Sequence, residues 1–156
     1  MDDTNALAPR LATTADARVL AELLHAFNTE FDTPTPEIAV LAERLRQHQP
    51  GGGLAALLIG EPAEGFALVS FRPSVWYDGP VALLDELYVR PDLRNRRLGS
   101  ALLDEVCALA RDRGSESVEI NVDGDDVDAR RFYETRGFSN TDPGRTDQLL
   151  YYYREV

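Results

Sequence analysis

The stretch from Val81 to Ala110 constrains this chain most. An apolar strand pattern, Val81 to Val89, stops at Pro91, and a helical stripe follows: Leu98, Ala101, Leu102, Val106, Leu109 and Ala110. The change of period from two to about 3.6 across one short turn predicts a strand feeding straight into a helix, which Gly114 ends. Four arginines, Arg90, Arg94, Arg96 and Arg97, fall in that turn. A helix N-terminus offers unpaired N–H groups and the positive end of its dipole, so arginines around it make a cradle for phosphate. A solvated basic turn would carry the same residues, and clustering alone does not separate the two.

The rest of the chain reads as elements around that unit. A short apolar run at Pro9 to Ala12 suggests an edge strand. Thr13-Thr14-Ala15-Asp16 is a helix start, and Ala17, Leu20, Leu23, Leu24 and Phe27 follow with helical spacing. Asn28 to Pro36 should break that helix, and a second is expected from Pro36 to Gln47. Gly51-Gly52-Gly53 separates this helical half from a strand-rich one. Leu54 to Ile59 and Gly65 to Phe71 read as antiparallel strands, with a turn at Asp78-Gly79 before Val81. Beyond Gly114 come a strand at Ser117 to Val122, a helix at Asp126 to Arg136 closed by Gly137, and a last strand at Leu149 to Arg154. This mixed order predicts an α/β (α+β) fold with a partly antiparallel sheet in one domain spanning residues 1–156.

Composition excludes several functions. The net charge is −11, from 27 acidic residues against 16 basic ones, every one of them arginine. Such an excess of acid argues against a nucleic-acid binder or a polybasic membrane-surface protein and suits a cationic ligand. Cys107 is the only cysteine. It has no disulfide partner and no zinc-spaced neighbours, and it reads as a small packing residue on a helix. The acidic start Met1-Asp2-Asp3-Thr4 lacks a signal-peptide core, and no apolar run is long enough to span a bilayer, so a cytoplasmic setting is expected.

Two segments resemble the GNAT superfamily of acyl-CoA-dependent N-acyltransferases. Val89, Pro91, Arg94 and Gly99, followed by Leu102-Leu103, match its motif A, with Arg97 where the first motif glycine is usual. Ala129, Tyr133, Gly137 and Phe138 match its motif B in register, with Asp126 in place of the usual asparagine. The resemblance implies a mixed, mostly antiparallel central sheet splayed between two parallel strands and flanked by about four helices. It also implies that acetyl-CoA serves as the acyl donor, with no metal. Its diphosphate would be held by the turn Arg94, Asn95, Arg96, Arg97, Leu98, Gly99 and Ser100, with Asp126 and Ala129 also facing the cofactor. Backbone groups of Leu87, Tyr88 and Val89 would meet pantetheine and the oxyanion where the Glu86–Val89 and Ser117–Val122 strands part.

The acceptor implied is a primary amine, and transfer would proceed by direct attack in a ternary complex. Glu86 is expected as the base, with Asp85 as its alternate on the opposite face of a regular strand. Tyr133 would be the acid that protonates the departing thiolate. Trp76, Tyr77, Phe27 and Phe31 read as core or loop-lid aromatics with a secondary claim on an acceptor pocket. The tyrosines at 151–153 should alternate between the faces of the last strand. His25 and His48 receive no role. A protein lysine or N-terminal acetyltransferase and a non-catalytic acyl-CoA sensor are the competing readings. A dinucleotide module is excluded because no Gly-x-Gly-x-x-Gly follows the first strand. Dimerisation is common in such families, and a homodimer is expected on that ground alone.

Overall fold

The computed structural model describes residues 8–156. The chain divides into two compact units, one running to Glu119 and the other from Ile120 to Val156. The first contains β1 (Arg10–Leu11), α1 (Ala17–Glu30), α2 (Ile38–His48), β2 (Leu54–Ile59), β3 (Gly65–Arg72), β4 (Val81–Val89) and α3 (Leu98–Asp112). The short strand β5 (Val118–Ile120) lies where the units meet in sequence, and α4 (Val127–Glu134) belongs to the second.

The sheet order is β1-β2-β3-β4-β5. β1 pairs antiparallel with β2, β2 with β3, and β3 with β4, as their short connections dictate, whereas β5 runs parallel to β4. This is the mixed sheet expected, with β1 at its edge. The nine residues of β4 outrun the three of β5. The two strands meet at the start of β4, where the Ala82 N–H donates to the Ser117 carbonyl at 3.4 Å.

Period-two alternation in the strands divides the core into two layers. Ala56, Leu58, Phe66 and Tyr88 bury one face against Leu20, Leu23 and Leu24 of α1 and Ala42 and Leu45 of α2. On the other face, Leu57, Ile59, Ala67, Val69 and Leu84 are buried, as are Leu98, Leu102, Leu103 and Val106 on α3, which packs on β2, β3 and β4. Burying a side chain such as Leu102 or Phe66 contributes about 1.5–3 kcal/mol, so these two layers hold the frame.

Local contacts set several element ends. The Thr13 N–H donates to the Asp16 carboxylate at 2.8 Å, and Arg10 grips the same carboxylate at 2.8 and 2.9 Å. That grip, more than the cap itself, holds Asp16 down to about 2 and ties β1 to the start of α1. The first helix outlasts the expected break at Asn28, because Pro34 is the first residue that cannot continue it and the chain stays helical to Glu30. At Gly79 an added Cβ would land on the Gly114 carbonyl, so glycine lets the β3–β4 loop cross the end of α3.

In the second unit, Asp126 Oδ1 accepts the Ala129 N–H at 3.0 Å and caps α4. The helix is shorter than the span to Arg136 and stops at Glu134, with Gly137 following at φ 90°. The expected strand over Leu149–Arg154 does not form. Alternating apolar residues favour an extended chain, but a strand also needs a partner edge, and ahead of this segment there is only the isolated Thr141–Gln148 bridge. Without a strand there are no faces to alternate between; the Tyr151 and Tyr153 rings stack at 6.5 Å. No residue from Ile120 to Val156 is buried.

Candidate active site

The acid pair on β4 is shaped by an irregularity. Leu68 faces Glu86 and Val69 faces Leu84, so Asp85 is an extra residue bulged out of the ladder. Ser70 faces Leu83, and the Ser70 hydroxyl donates to Asp85 Oδ2. Leu68 and Ser70, two residues apart, share one face of β3. Glu86, opposite Leu68, and Asp85, bonded to Ser70, therefore lie on that same face. This overturns the expectation of opposite faces, which assumed a regular strand; one extra residue shifts the parity.

That face is the one covered by α1 and α2, since Leu68 packs against their core. The environment acts on both acids. Burial, and secondly the Asp85 charge beside it, pushes the Glu86 carboxyl up to about 7. Burial also raises Asp85, while the Ser70 hydroxyl pulls it back toward the ionised form. Sequence reasoning missed Ser70. The signal was present in Leu83-Leu84-Asp85-Glu86-Leu87, where two adjacent acids break the alternation of an otherwise apolar strand.

After β4 the chain makes a 3-10 turn, Pro91–Leu93, and enters α3 through Arg94–Arg97. Asn95 at φ 65° and Arg97 at φ 63°, ψ 10° are both left-handed. That explains why glycine suits the Arg97 position: a side chain there costs about 1–2 kcal/mol. The Arg97 side chain does not cap α3, and among the described residues the first backbone hydrogen bond of the helix runs from the Ala101 N–H to the Arg97 carbonyl. The amides of Leu98 and Gly99 thus precede the helical ladder and are available to an anion. Arg96 and Arg97 are exposed, and among the described residues neither forms a salt bridge.

Arg94 behaves differently. Its Nη1 and Nη2 grip Glu30 at 2.7 and 2.8 Å, its Nε donates to the Val89 carbonyl at 3.0 Å, and its guanidinium lies 5.7 Å from the Tyr88 ring centre. The expected phosphate ligand is thus bound to protein groups in this structure. Tyr88, in tilted ring contact with Phe27 and Phe66, is part of the core, and burial pushes its phenol up.

Trp76, 85% exposed in the β3–β4 loop, is not a core residue, and Phe31 is 56% exposed at the end of α1. Cys107 is half-buried on α3, where burial raises its thiol, the reverse of what activates a nucleophile. His25 and His48 lie on α1 and α2. In the second unit the half-buried Tyr133 is held by edge contacts with Phe132 and Phe138, at 5.0 and 5.6 Å between ring centres. Among the described residues no group of three or more His, Cys, Asp or Glu side chains could hold a metal ion, and no helix is long and apolar enough to cross a membrane.

The chain belongs to the GNAT acetyltransferase family, whose family model matches residues 18–138. It is an acyltransferase, and the acyl donor of that family is acetyl-CoA. Over 137 residues it is 32% identical to aminoglycoside N(6')-acetyltransferase type 1 of Stenotrophomonas maltophilia, covering 85% of this chain and 86% of that protein. It is 35% identical over 85 residues to mycothiol acetyltransferase of Beutenbergia cavernae, a match covering 53% of this chain but only 27% of that relative's length. A crystal structure from Arthrobacter sp. FB24, assigned as an acetyltransferase, is 58% identical over the full length of both chains, with a TM-score of 0.93.

Proposed function

We propose that this protein transfers an acetyl group from acetyl-CoA to the primary amine of a small cationic acceptor. The observation that carries this reading is the bulge at Asp85, which gathers Asp85 and Glu86 on one half-buried face and leaves Glu86 near 7. An alkyl ammonium has a pKa of about 10 and must lose a proton before it can attack a thioester. A carboxyl near 7 is suited to accept that proton, directly or through one water. Burial raises Asp85 as well, and the Ser70 hydroxyl offsets part of that rise; when ionised, Asp85 adds negative charge that draws a cation to this face. The aminoglycoside relative, an N-acetyltransferase acting on amine-bearing sugars by its name, supports an acceptor of this kind.

When bound, acetyl-CoA supplies the activated acyl group. The uncapped start of α3, with exposed Arg96 and Arg97, fits its phosphates, and backbone groups of Leu87 to Val89 would orient the thioester. Gly99 in the first turn of α3, next to Ser100, has no side chain and would let the diphosphate approach the backbone closely. Tyr133 is proposed to protonate the departing thiolate, a role supported by its register in motif B. Asp126 and Ala129 are already bonded to each other, so their proposed contact with the cofactor would be made by the capped start of α4 as a unit. The family match from 18 to 138 crosses the boundary between the two units, which supports one functional domain over residues 1–156. For the expected homodimer, exposed Leu149, Leu150 and Tyr151–Tyr153 offer apolar surface, and light scattering would show a mass near twice 17.3 kDa.

The test is a thiol-release assay with acetyl-CoA against polyamines, aminoglycosides, amino acids and peptides. Turnover with polyamines or aminoglycosides, saturable and lowered by about 10²–10⁴-fold in Glu86→Gln, is the expected result. Turnover only with peptides would make it a protein acetyltransferase, and CoA binding without turnover on any amine would make it a sensor.

A further inference from the structure

Glu30 is the last residue of α1, and no basic residue stands in that helix's final turn. A carboxylate there faces the negative end of the helix dipole, an unfavourable place unless something compensates it. The compensation comes from Arg94, 64 residues further along, through a two-pronged grip at 2.7 and 2.8 Å. The same guanidinium holds the Val89 carbonyl at the end of β4 and covers the Tyr88 ring, which packs on Phe27 one turn before Glu30. Arg94 itself begins the turn that leads to the uncapped start of α3. One side chain therefore fixes the end of β4, the end of α1 and the entry to the phosphate-facing turn relative to one another.

We infer that Arg94 is a positioning residue that anchors the cofactor turn through Glu30, and that it does not serve as a phosphate ligand. The inference rests on the reading that this turn holds CoA. It makes Glu30, which lies in no motif, a residue on which cofactor affinity depends. Arginine is needed there because its planar fork spans both carboxylate oxygens while Nε reaches Val89; a lysine ammonium would keep the charge and lose the geometry.

The two roles predict opposite signs. If Arg94 were a phosphate ligand restrained by Glu30, neutralising Glu30 would release it and tighten CoA. If it is an anchor, Glu30→Gln loosens the turn and weakens CoA. Calorimetric CoA titration of the full chain would compare wild type, Glu30→Gln, Arg94→Ala, Arg94→Lys and the double variant Glu30→Gln/Arg94→Ala, at low and high salt. Each single substitution should weaken CoA by roughly 3- to 10-fold, and the double variant should be no worse than Arg94→Ala, as expected of residues acting through one contact. Arg94→Lys should not restore affinity, whereas Glu30→Asp should do so in part. The salt dependence of CoA binding should match wild type in Arg94→Ala and fall in Arg96→Ala, because only an arginine that meets phosphate contributes to it. Tighter or unchanged CoA binding in Glu30→Gln, or full affinity in Arg94→Lys, would overturn the inference. Failure of the wild type to bind CoA would instead remove the reading beneath it, and the wild-type titration separates these outcomes.

Discussion

The acid pair on β4 and the arginine turn that follows it are close in sequence and opposite in physical character. Asp85 and Glu86 sit on a half-buried face, where burial opposes ionisation of both and the Asp85 charge adds to it at Glu86. Arg96 and Arg97 stand exposed on a turn strained into left-handed geometry, beside amides that the Arg97 side chain does not cap. At the first region the protein tunes a proton; at the second it leaves donors open to an anion. Both depart from regular structure, by an extra residue in a ladder and by arginine where glycine would be easier. Irregularity of this kind costs stability and is retained where function uses it.

The strongest way to break this contrast is Glu86→Gln. Loss of the base should lower kcat by about 10²–10⁴-fold while CoA affinity stays at its wild-type value, since the substitution touches only the first region. The sign of its effect on stability is also fixed. The folded pKa of Glu86 lies above the ordinary 4.5, so ionisation opposes folding increasingly as pH rises from about 4.5 through 7. Glu86→Gln should therefore be more stable than wild type at pH 8 and near parity at pH 4, by thermal melts at both. Next in size is Tyr133→Phe, which should lower kcat by roughly 10- to 100-fold and hardly change CoA affinity, as removal of a general acid would. Unchanged turnover there would leave the thiolate to leave unprotonated.

The second region is sharpened by Arg97→Gly. Relief of the left-handed strain should stabilise the fold by about 1 kcal/mol in urea unfolding, while loss of an exposed positive charge weakens CoA modestly and more at low salt. Stability and affinity moving together would contradict the account of this turn.

Much of this frame was legible in the sequence, because it rests on local rules. The bounds of β4, the start of α3 at Leu98, and the cap at Thr13–Asp16 follow from period, proline position and capping chemistry within a few residues. What stayed hidden depends on partners distant in sequence. The bulge at Asp85 exists only relative to Leu68 and Val69, and Ser70 becomes relevant only once that register is known. Glu30 meets Arg94 only after the chain has folded. At Leu149–Arg154 the local pattern is right for an extended chain, but pairing is not a local property. Motif register reached Glu86 and Arg97, yet could not tell that Asp85 shares Glu86's face or that Arg94 is already held.

We propose that Glu86 takes the amine proton, and that burial first and the Asp85 charge second set the pH at which it does so. The pH dependence of kcat/KM, measured in wild type, Asp85→Asn and Glu86→Gln with one active amine, tests this most directly. Activity in wild type should rise with pH through a limb near 7. Asp85→Asn should move that limb to lower pH, and Glu86→Gln should abolish it along with most of the activity. A limb that stays near 7 in both variants would mean that another group accepts the proton.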